Sequence, residues 1–339
     1  MAVTIKDVAR EAGVATSTVS RVLSNSNKIS EEKKQQVNEV IKRLNYTPNI
    51  IARGLANNKT RILAVVLADV AENLFENPFF IQAMKGISIC AQKENYYIMY
   101  AFKEEGSNDN DWIKKFTESN LVDGLCLLKV TDDDECISYL KDINANFVVI
   151  GRPKEPNTML WVDNDNYKAM EDLVEGLIEK GHKNIGFIGA KEDLNFSKDR
   201  LSGYKQGLNT ANIPIIEDLV VEQSDFTEEL GYTATIKILD KMIPTALVAT
   251  DDLMAFGIQR ALGEKGLNNI AVASFNNSPL AKYQTPPLAS VDINAEKLGY
   301  YATKLLIDKL ENRELDKKYY IIETELIERE SIRHSKINK

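Results

Sequence analysis

The sequence predicts a small all-α head joined through a short linker to a two-lobed α/β body with parallel sheets. Three observations predict this. Charge changes sign along the chain: residues 1–60 carry ten basic and five acidic side chains, net +5, whereas 61–339 carry 32 basic and 45 acidic, net −13. Apolar residues recur at helical spacing as far as Leu44. From residue 61 onward, short β-rich apolar runs alternate with helical patterns, the signature of parallel sheets covered by helices.

Composition sets the outer bounds. At 339 residues the chain is long enough for two to three domains of ~150 residues each. The net charge of −8 excludes a uniformly basic nucleic-acid binder. With 44% hydrophobic and 27% charged residues, the chain can bury a core and is not expected to be disordered. Its longest apolar runs, such as 62–68, fall far short of the ~20 residues that span a bilayer. The first ten residues carry charges where a secretory signal needs an apolar stretch. Cys90, Cys126 and Cys136 are too few, and odd in number, for a disulfide framework. The expectation is a soluble protein of a reducing cytoplasm.

The head, 1–46, reads as three helices. Thr4 can cap the first, with Ile5, Val8, Ala9 and Ala12 at helical spacing. Gly13 follows, where a tight turn needs positive φ. A second helix over 16–23 turns Val19, Val22 and Leu23 inward and Thr16, Ser17, Ser20 and Arg21 largely outward. Ser30 caps a third, with Glu31 and Glu32 at its positive end and Val37, Val40, Ile41 and Leu44 as its apolar stripe. Helix, short glycine turn, helix is the helix-turn-helix layout. Ser20 also fits an ordinary exposed position, whereas the fork of Arg21 suits guanine or phosphate.

Residues 47–60 read as a linker. Pro48 stops the helix at Thr47. A short helix over 49–57 is marginal alone in water, and Gly54 weakens it by about 1 kcal/mol relative to Ala.

In the body, 61–339, strands are expected over 62–68, 96–101, 123–128, 147–150, 184–188 and 246–249. Helices are expected over 77–94, 112–119, 167–180, 199–211, 230–240 and 253–265. About 280 residues is large for one sheet, so two lobes are expected, crossing near 161–165 and 291–294. Ligands of such sheets bind at the carboxyl ends of strands.

The run Val3-Thr-Ile-Lys-Asp-Val-Ala-Arg-Glu-Ala-Gly-Val14, followed by Thr18-Val-Ser-Arg-Val-Leu23, resembles the headpiece of lac repressor-type (LacI/GalR) transcription regulators. Leu44-Asn-Tyr-Thr-Pro-Asn49 resembles that family's entry to its hinge helix. The resemblance implies DNA contacts at Thr4, Thr16, Ser17, Thr18, Ser20, Arg21 and Tyr46, with Thr16 and Ser17 reading base edges in the major groove. It gives Asn49 and Arg53 phosphate-side roles in a hinge helix that orders on operator DNA. Leu55 matches the leucine that wedges into the central minor-groove step, a device that unstacks bases to bend the duplex. Ala15 stands where relatives often have Ser, which removes a possible helix cap and phosphate contact.

Over 61–330 the chain resembles the family's body, which is built like periplasmic sugar-binding proteins. Asn77-Pro-Phe-Phe80 matches the segment laid against the effector, with Phe79 and Phe80 serving as sugar-facing or core aromatics. Asp199-Arg200-Leu-Ser-Gly-Tyr204 matches the Asp-Arg-x-x-Gly-Tyr/Phe pattern, which makes Arg200 the arginine effector ligand. Phe226 falls where an aromatic covers the ligand, and Asp251 binds hydroxyls or caps a helix. Asn276 stands where many relatives have Asp, so the position both donates and accepts. Gly151 replaces an Asp common in relatives, and Arg152 offers a fork instead. The run Ser274-Phe-Asn-Asn-Ser278 looks like the maltose-operon regulators of the family. An α-glucoside such as maltose is therefore the expected effector.

No cofactor, metal or catalytic group is expected. The two histidines lie in a turn (His182) and a polar tail (His334), and no Cys/His cluster has metal spacing. The acidic run 132–135 reads as a solvated loop. Partners implied by the resemblance are double-stranded operator DNA, a sugar effector and a second copy in a homodimer. The tail after Glu330 lacks the heptads of a coiled-coil tetramer. Two alternatives stand beside this reading: a regulator governed by a phosphoprotein corepressor, and a free sugar-binding protein.

Overall fold

The structure is a computed structural model that describes residues 3–23, 26–47, 59–67, 77–102, 111–119, 121–129, 131, 134–190 and 194–332. The chain divides into two compact units, Met1–Thr60 and Arg61–Lys339. Asn49, Arg53, Leu55 and the helix expected over 49–57 lie outside the described residues.

The first unit contains α1 (Ile5–Glu11), α2 (Thr16–Leu23) and α3 (Glu31–Arg43). Thr4 and Asp7 close a capping box on α1: the Thr4 amide donates to Asp7 Oδ2 at 3.0 Å and the Asp7 amide to Thr4 Oγ1 at 3.4 Å. Gly13 turns the chain at φ +62°, in the left-handed region that favours glycine. Val8, Ala9, Ala12, Val19, Val22, Val37 and Val40 form the buried core. Gln36 Nε2 donates to the Ala12 carbonyl at 3.2 Å and ties α3 to the end of α1.

The second unit holds two six-stranded sheets. The first contains β1 (Ile62–Leu67), β2 (Tyr97–Phe102), β3 (Gly124–Leu127), β4 (Phe147–Ile150), β5 (Leu160–Asn164) and β11 (Tyr319–Ile322), in the order β11-β5-β4-β3-β1-β2 and all parallel. The second contains β6 (Ile185–Ala190), β7 (Val220–Gln223), β8 (Ala246–Ala249), β9 (Ala271–Phe275), β10 (Ala289–Asp292) and β12 (Glu325–Ile327). Its order is β12-β10-β9-β8-β6-β7, with β12 the antiparallel edge. The central strands β3 and β8 are buried throughout, which explains their continuous apolar runs.

Helices α4 (Pro78–Lys93), α5 (Asp111–Thr117), α6 (Glu135–Asp142) and α11 (Ala295–Leu310) belong to the first lobe. Helices α7 (Asn166–Glu179), α8 (Asn195–Thr210), α9 (Glu228–Leu239) and α10 (Asp252–Glu264) belong to the second. The pair α4–α11 packs with its backbones close together: a Cβ on Gly86 would sit 1.9 Å from the Glu296 carbonyl oxygen. Three differences from the sequence reading matter. Glu135 is not in a loop but opens α6, where the Asp134 carboxylate caps by accepting from the Ile137 amide at 3.0 Å. The second lobe's α8 begins at Asn195, one turn before the expected start at Asp199.

The third difference is an additional crossing. The chain passes between the sheets after β5, after β10 and again between β11 and β12. Buried Asn164, at the first of these passages, joins all of them. Its Nδ2 donates to the carbonyls of Ile293 at 3.0 Å and Ile322 at 2.9 Å.

Candidate DNA-recognition face and ligand cleft

In the first unit, Thr16, Ser17, Ser20 and Arg21 are exposed on α2, opposite its buried Val19 and Val22, while Thr18 is half-buried. The Ala15 carbonyl accepts from the amides of Thr18 (2.9 Å) and Val19 (3.2 Å), so Ala15 stands at the helix cap with a methyl that cannot accept. Thr4 is exposed but is engaged in its capping box, where its hydroxyl donates to Asp7 Oδ2 at 2.7 Å. Tyr46 is half-buried against the helical core.

In the second unit, a cavity of about 300 Å³ lies between the two lobes. Its walls bring together Asn77, Phe79, Phe80, Arg152, Arg200, Phe226, Asp251 and Asn276. These residues come from strand ends, from the cap and first turn of α4, from the second turn of α8 and from the cap of α10, because parallel strands deliver their carboxyl ends and following helices to one edge.

Arg200 is the buried cation of the site. Its Nε donates to Asn166 Oδ1 at 2.9 Å and its Nη1 to the Thr250 carbonyl at 2.6 Å. Burial pulls its pKa down to about 10, against the attraction of Asp163 and Asp251. The helix that carries it is pressed onto α7 through Gly203, where a Cβ would lie 2.2 Å from the Tyr167 carbonyl oxygen. The next residue, Tyr204, donates its hydroxyl to the Ile185 carbonyl at 2.8 Å. The glycine and tyrosine of the Asp-Arg-x-x-Gly-Tyr pattern thus set the seat of the arginine.

Asp251 takes the capping role and turns its second oxygen toward two carboxamides of the cleft. Oδ1 caps α10 by accepting from the Leu253 amide at 2.7 Å. Oδ2 accepts from Asn276 Nδ2 at 2.7 Å and from Asn77 Nδ2 at 3.2 Å. Burial, then the neighbouring Asp252 carboxylate, pushes Asp251 up to about 7. Asn276 holds φ at +100°, a left-handed backbone uncommon outside glycine. Its amide can donate to Asp251, whereas an Asp at 276 would meet that carboxylate with like charge.

Arg152 is held from three directions. Its amide donates to Asp163 Oδ2 at 2.8 Å, its carbonyl accepts from Asn195 Nδ2 at 2.8 Å, and its guanidinium pairs with Asp199 of the opposite lobe. Phe79 and Phe80 meet edge to face with centroids 5.2 Å apart, and both pack on the core while lining the cleft.

Sequence reasoning missed Asp163, Asn166 and Phe196. Asp163 accepts from the amides of Arg152 and Asn164, and burial still pushes it up to about 6. It lies inside the expected crossing 161–165, which was a usable signal. Phe196 stacks on Phe226 with centroids 5.6 Å apart. It lies upstream of the expected start of α8, which concealed it.

Among the described residues, no helix is long and apolar enough to cross a membrane, and no group of His, Cys, Asp and Glu is placed to hold a metal ion. Burial pushes the thiols of Cys90 and Cys126 up to about 12, far from reactive thiolates.

Residues 4–49 match the profile of bacterial regulatory proteins, lacI family, and residues 174–332 match a periplasmic binding protein-like domain. The HTH-type transcriptional regulator MalR of Streptococcus pneumoniae is 34% identical over 323 residues, spanning 94% of this chain and 96% of that protein. A structure of a transcriptional regulator CelR–cellobiose complex superposes with a TM-score of 0.76 at 29% identity, covering 97% of this chain and 99% of its own. A Staphylococcus structure described as a probable maltose operon transcriptional repressor, malR, gives 0.74 at 26% identity, covering 81% and 99%. Kinship along nearly the whole length, with a helix-turn-helix head, places this chain in the lacI family of DNA-binding transcription regulators, which are not enzymes.

Proposed function

We propose that this chain is a cytoplasmic, homodimeric repressor of a sugar-utilisation operon whose affinity for operator DNA is lowered by maltose or another α-glucoside. The work is divided among a DNA-binding head at 1–46, a hinge at 47–60 and an effector-binding and dimerisation body at 61–339. Two heads meet the half-sites of a near-palindromic operator. Thr16, Ser17, Thr18, Ser20 and Arg21 face the major groove, with Thr4 and Tyr46 beside it. Asn49, Arg53 and Leu55 act from the hinge.

The observation that carries the effector reading is the chemistry of the cleft. A buried guanidinium, a carboxylate and carboxamides stand beside aromatic rings, the combination that suits hydroxyls on one edge of a sugar ring and C–H groups on its face. Arg200 Nη2 has no acceptor among the described residues and is available to a ligand hydroxyl. Cellobiose in the CelR structure and the operon named for the Staphylococcus relative support a disaccharide.

Calorimetric titration of the full chain with maltose, maltotriose, cellobiose and glucose tests the reading. Saturable binding of an α-glucoside is expected, with loss of at least about tenfold in affinity on Arg200→Ala, since a charge-assisted hydrogen bond is removed. Heat from none of the four sugars overturns it.

A further inference from the structure

Phe196 stands between the parts of the cleft that the proposed function assigns to the ligand. Its ring stacks on Phe226, with centroids 5.6 Å apart and planes 26° from parallel. The Arg200 guanidinium lies over the same ring at 5.0 Å and over the Phe275 ring at 4.2 Å. Phe275 is fully buried, whereas Phe196 is half-buried and lines the cavity. Phe196 and Arg200 are four residues apart on α8, so one helical face presents both.

Hydrogen bonds alone under-determine the arginine. Nε and Nη1 are bonded to Asn166 and the Thr250 carbonyl. A flat, weakly hydrated guanidinium is further held by aromatic faces within about 6 Å. Removing one such face lets the plane tilt and admits water beside the cation. The same change removes the backing of Phe226.

We propose that Phe196 is a positioning residue of the effector site, which locks the Arg200 guanidinium and the Phe226 ring into one fixed relation and so sets which ligand edge the arginine meets. The ligand half of this claim rests on the sugar reading above; the positioning half does not.

The test uses the full chain labelled with ¹⁵N-arginine and follows the Nε–Hε resonance of Arg200, assigned by its loss in Arg200→Lys. Phe196→Leu keeps apolar bulk and removes the ring; Phe196→Tyr keeps the ring. The Arg200 Hε signal is expected to move in Phe196→Leu through loss of ring-current shielding, with faster exchange with water, and to stay near its wild-type position in Phe196→Tyr. In parallel maltose titrations, Phe196→Leu should weaken binding about tenfold. Phe196→Leu combined with Arg200→Lys should lose less binding than the sum of the two single losses. An Arg200 signal unmoved in Phe196→Leu, or additive losses in the double variant, would overturn the proposal. Wild-type protein that binds none of the sugars refutes the effector reading instead, and the resonance then decides the positioning claim alone. Thermal unfolding of each variant separates these outcomes from loss of fold.

Discussion

Asn276 and Asp251 explain each other. One donates an amide hydrogen to the other's carboxylate at 2.7 Å in a buried site, so an Asp at 276 would place two carboxyl groups in contact. Two such groups do not ionise together, and one holds its proton to higher pH. Asn276→Asp is therefore expected to destabilise the fold and to weaken sugar binding increasingly as pH rises above neutrality. Adding Asp251→Asn restores a donor–acceptor pair with its polarity reversed and should recover most of both. Calorimetry and thermal melts of the single and double variants check this; a double variant worse than Asn276→Asp alone counts against the pairing. The raised pKa also sets a sign. Asp251 is held near 7 against an ordinary value of 3.8, so the folded state keeps a proton that the unfolded chain has lost. Its contribution to stability is therefore greatest below about pH 4 and falls until about pH 7. Asp251→Asn should flatten that part of the stability–pH curve; an unchanged curve would show that Asp251 titrates normally.

At the scale of elements, α2 is the recognition candidate with a defect at its start. Ala15 occupies the cap without an acceptor. Ala15→Ser should stabilise the head by about 0.5–1 kcal/mol, read as a higher melting temperature of the head in the full chain. No change would mean that the capping geometry is not as described. Elements were legible where periodicity and a stop signal coincide. The head's apolar stripes and Gly13 define three helices, and the body's buried strands stand out as unbroken apolar runs. The start of α8 was illegible because its cap position is Leu194, with no side-chain hydrogen bond to announce it, and its first residues, Asn195-Phe196-Ser197, show no apolar repeat. The opening of α6 was obscured differently: its capping Asp134 and first-turn Glu135 belong to an acidic run that also suits a loop. The polarity of the cleft was readable from a family pattern at Arg200. The partners Asp163 and Asn166 were not, since only the crossing of chains between sheets brings them to that arginine.

In the body as a whole, two lobes share three passages, and Asn164 hydrogen-bonds across all of them. Asn164→Leu leaves the Ile293 and Ile322 carbonyls without that donor in a buried place, a cost of about 1–3 kcal/mol per unsatisfied group. A fall in body melting temperature is expected, together with a changed response of lobe closure to ligand in small-angle scattering; a variant identical to wild type in both would remove Asn164 from the hinge. Three polar links span the cleft among the described residues: Arg152–Asp199, Asn195 to the Arg152 carbonyl, and Asn77–Asp251. The Arg152–Asp199 pair is partly exposed, so it adds about 1 kcal/mol at most to stability. Arg152 lines the cleft, however, and under the proposed function small differences between lobe arrangements there become differences in effector affinity. The charge split fits the same division. A head and linker of net +5 carry the attraction to phosphate, while a body of net −13 opposes nonspecific contact, so operator binding should weaken steeply with salt despite the acidic total.

The central claim is that one site in the body controls DNA affinity in the head. It is tested most directly by fluorescence-anisotropy titration of an operator duplex, selected from random DNA, with wild-type and Arg200→Ala protein in the presence and absence of maltose. The account predicts that maltose weakens operator binding of the wild type about tenfold or more. It predicts that Arg200→Ala binds the duplex as tightly as the wild type but ignores the sugar. Operator affinity that maltose leaves unchanged in the wild type, or shifts equally in Arg200→Ala, would contradict it.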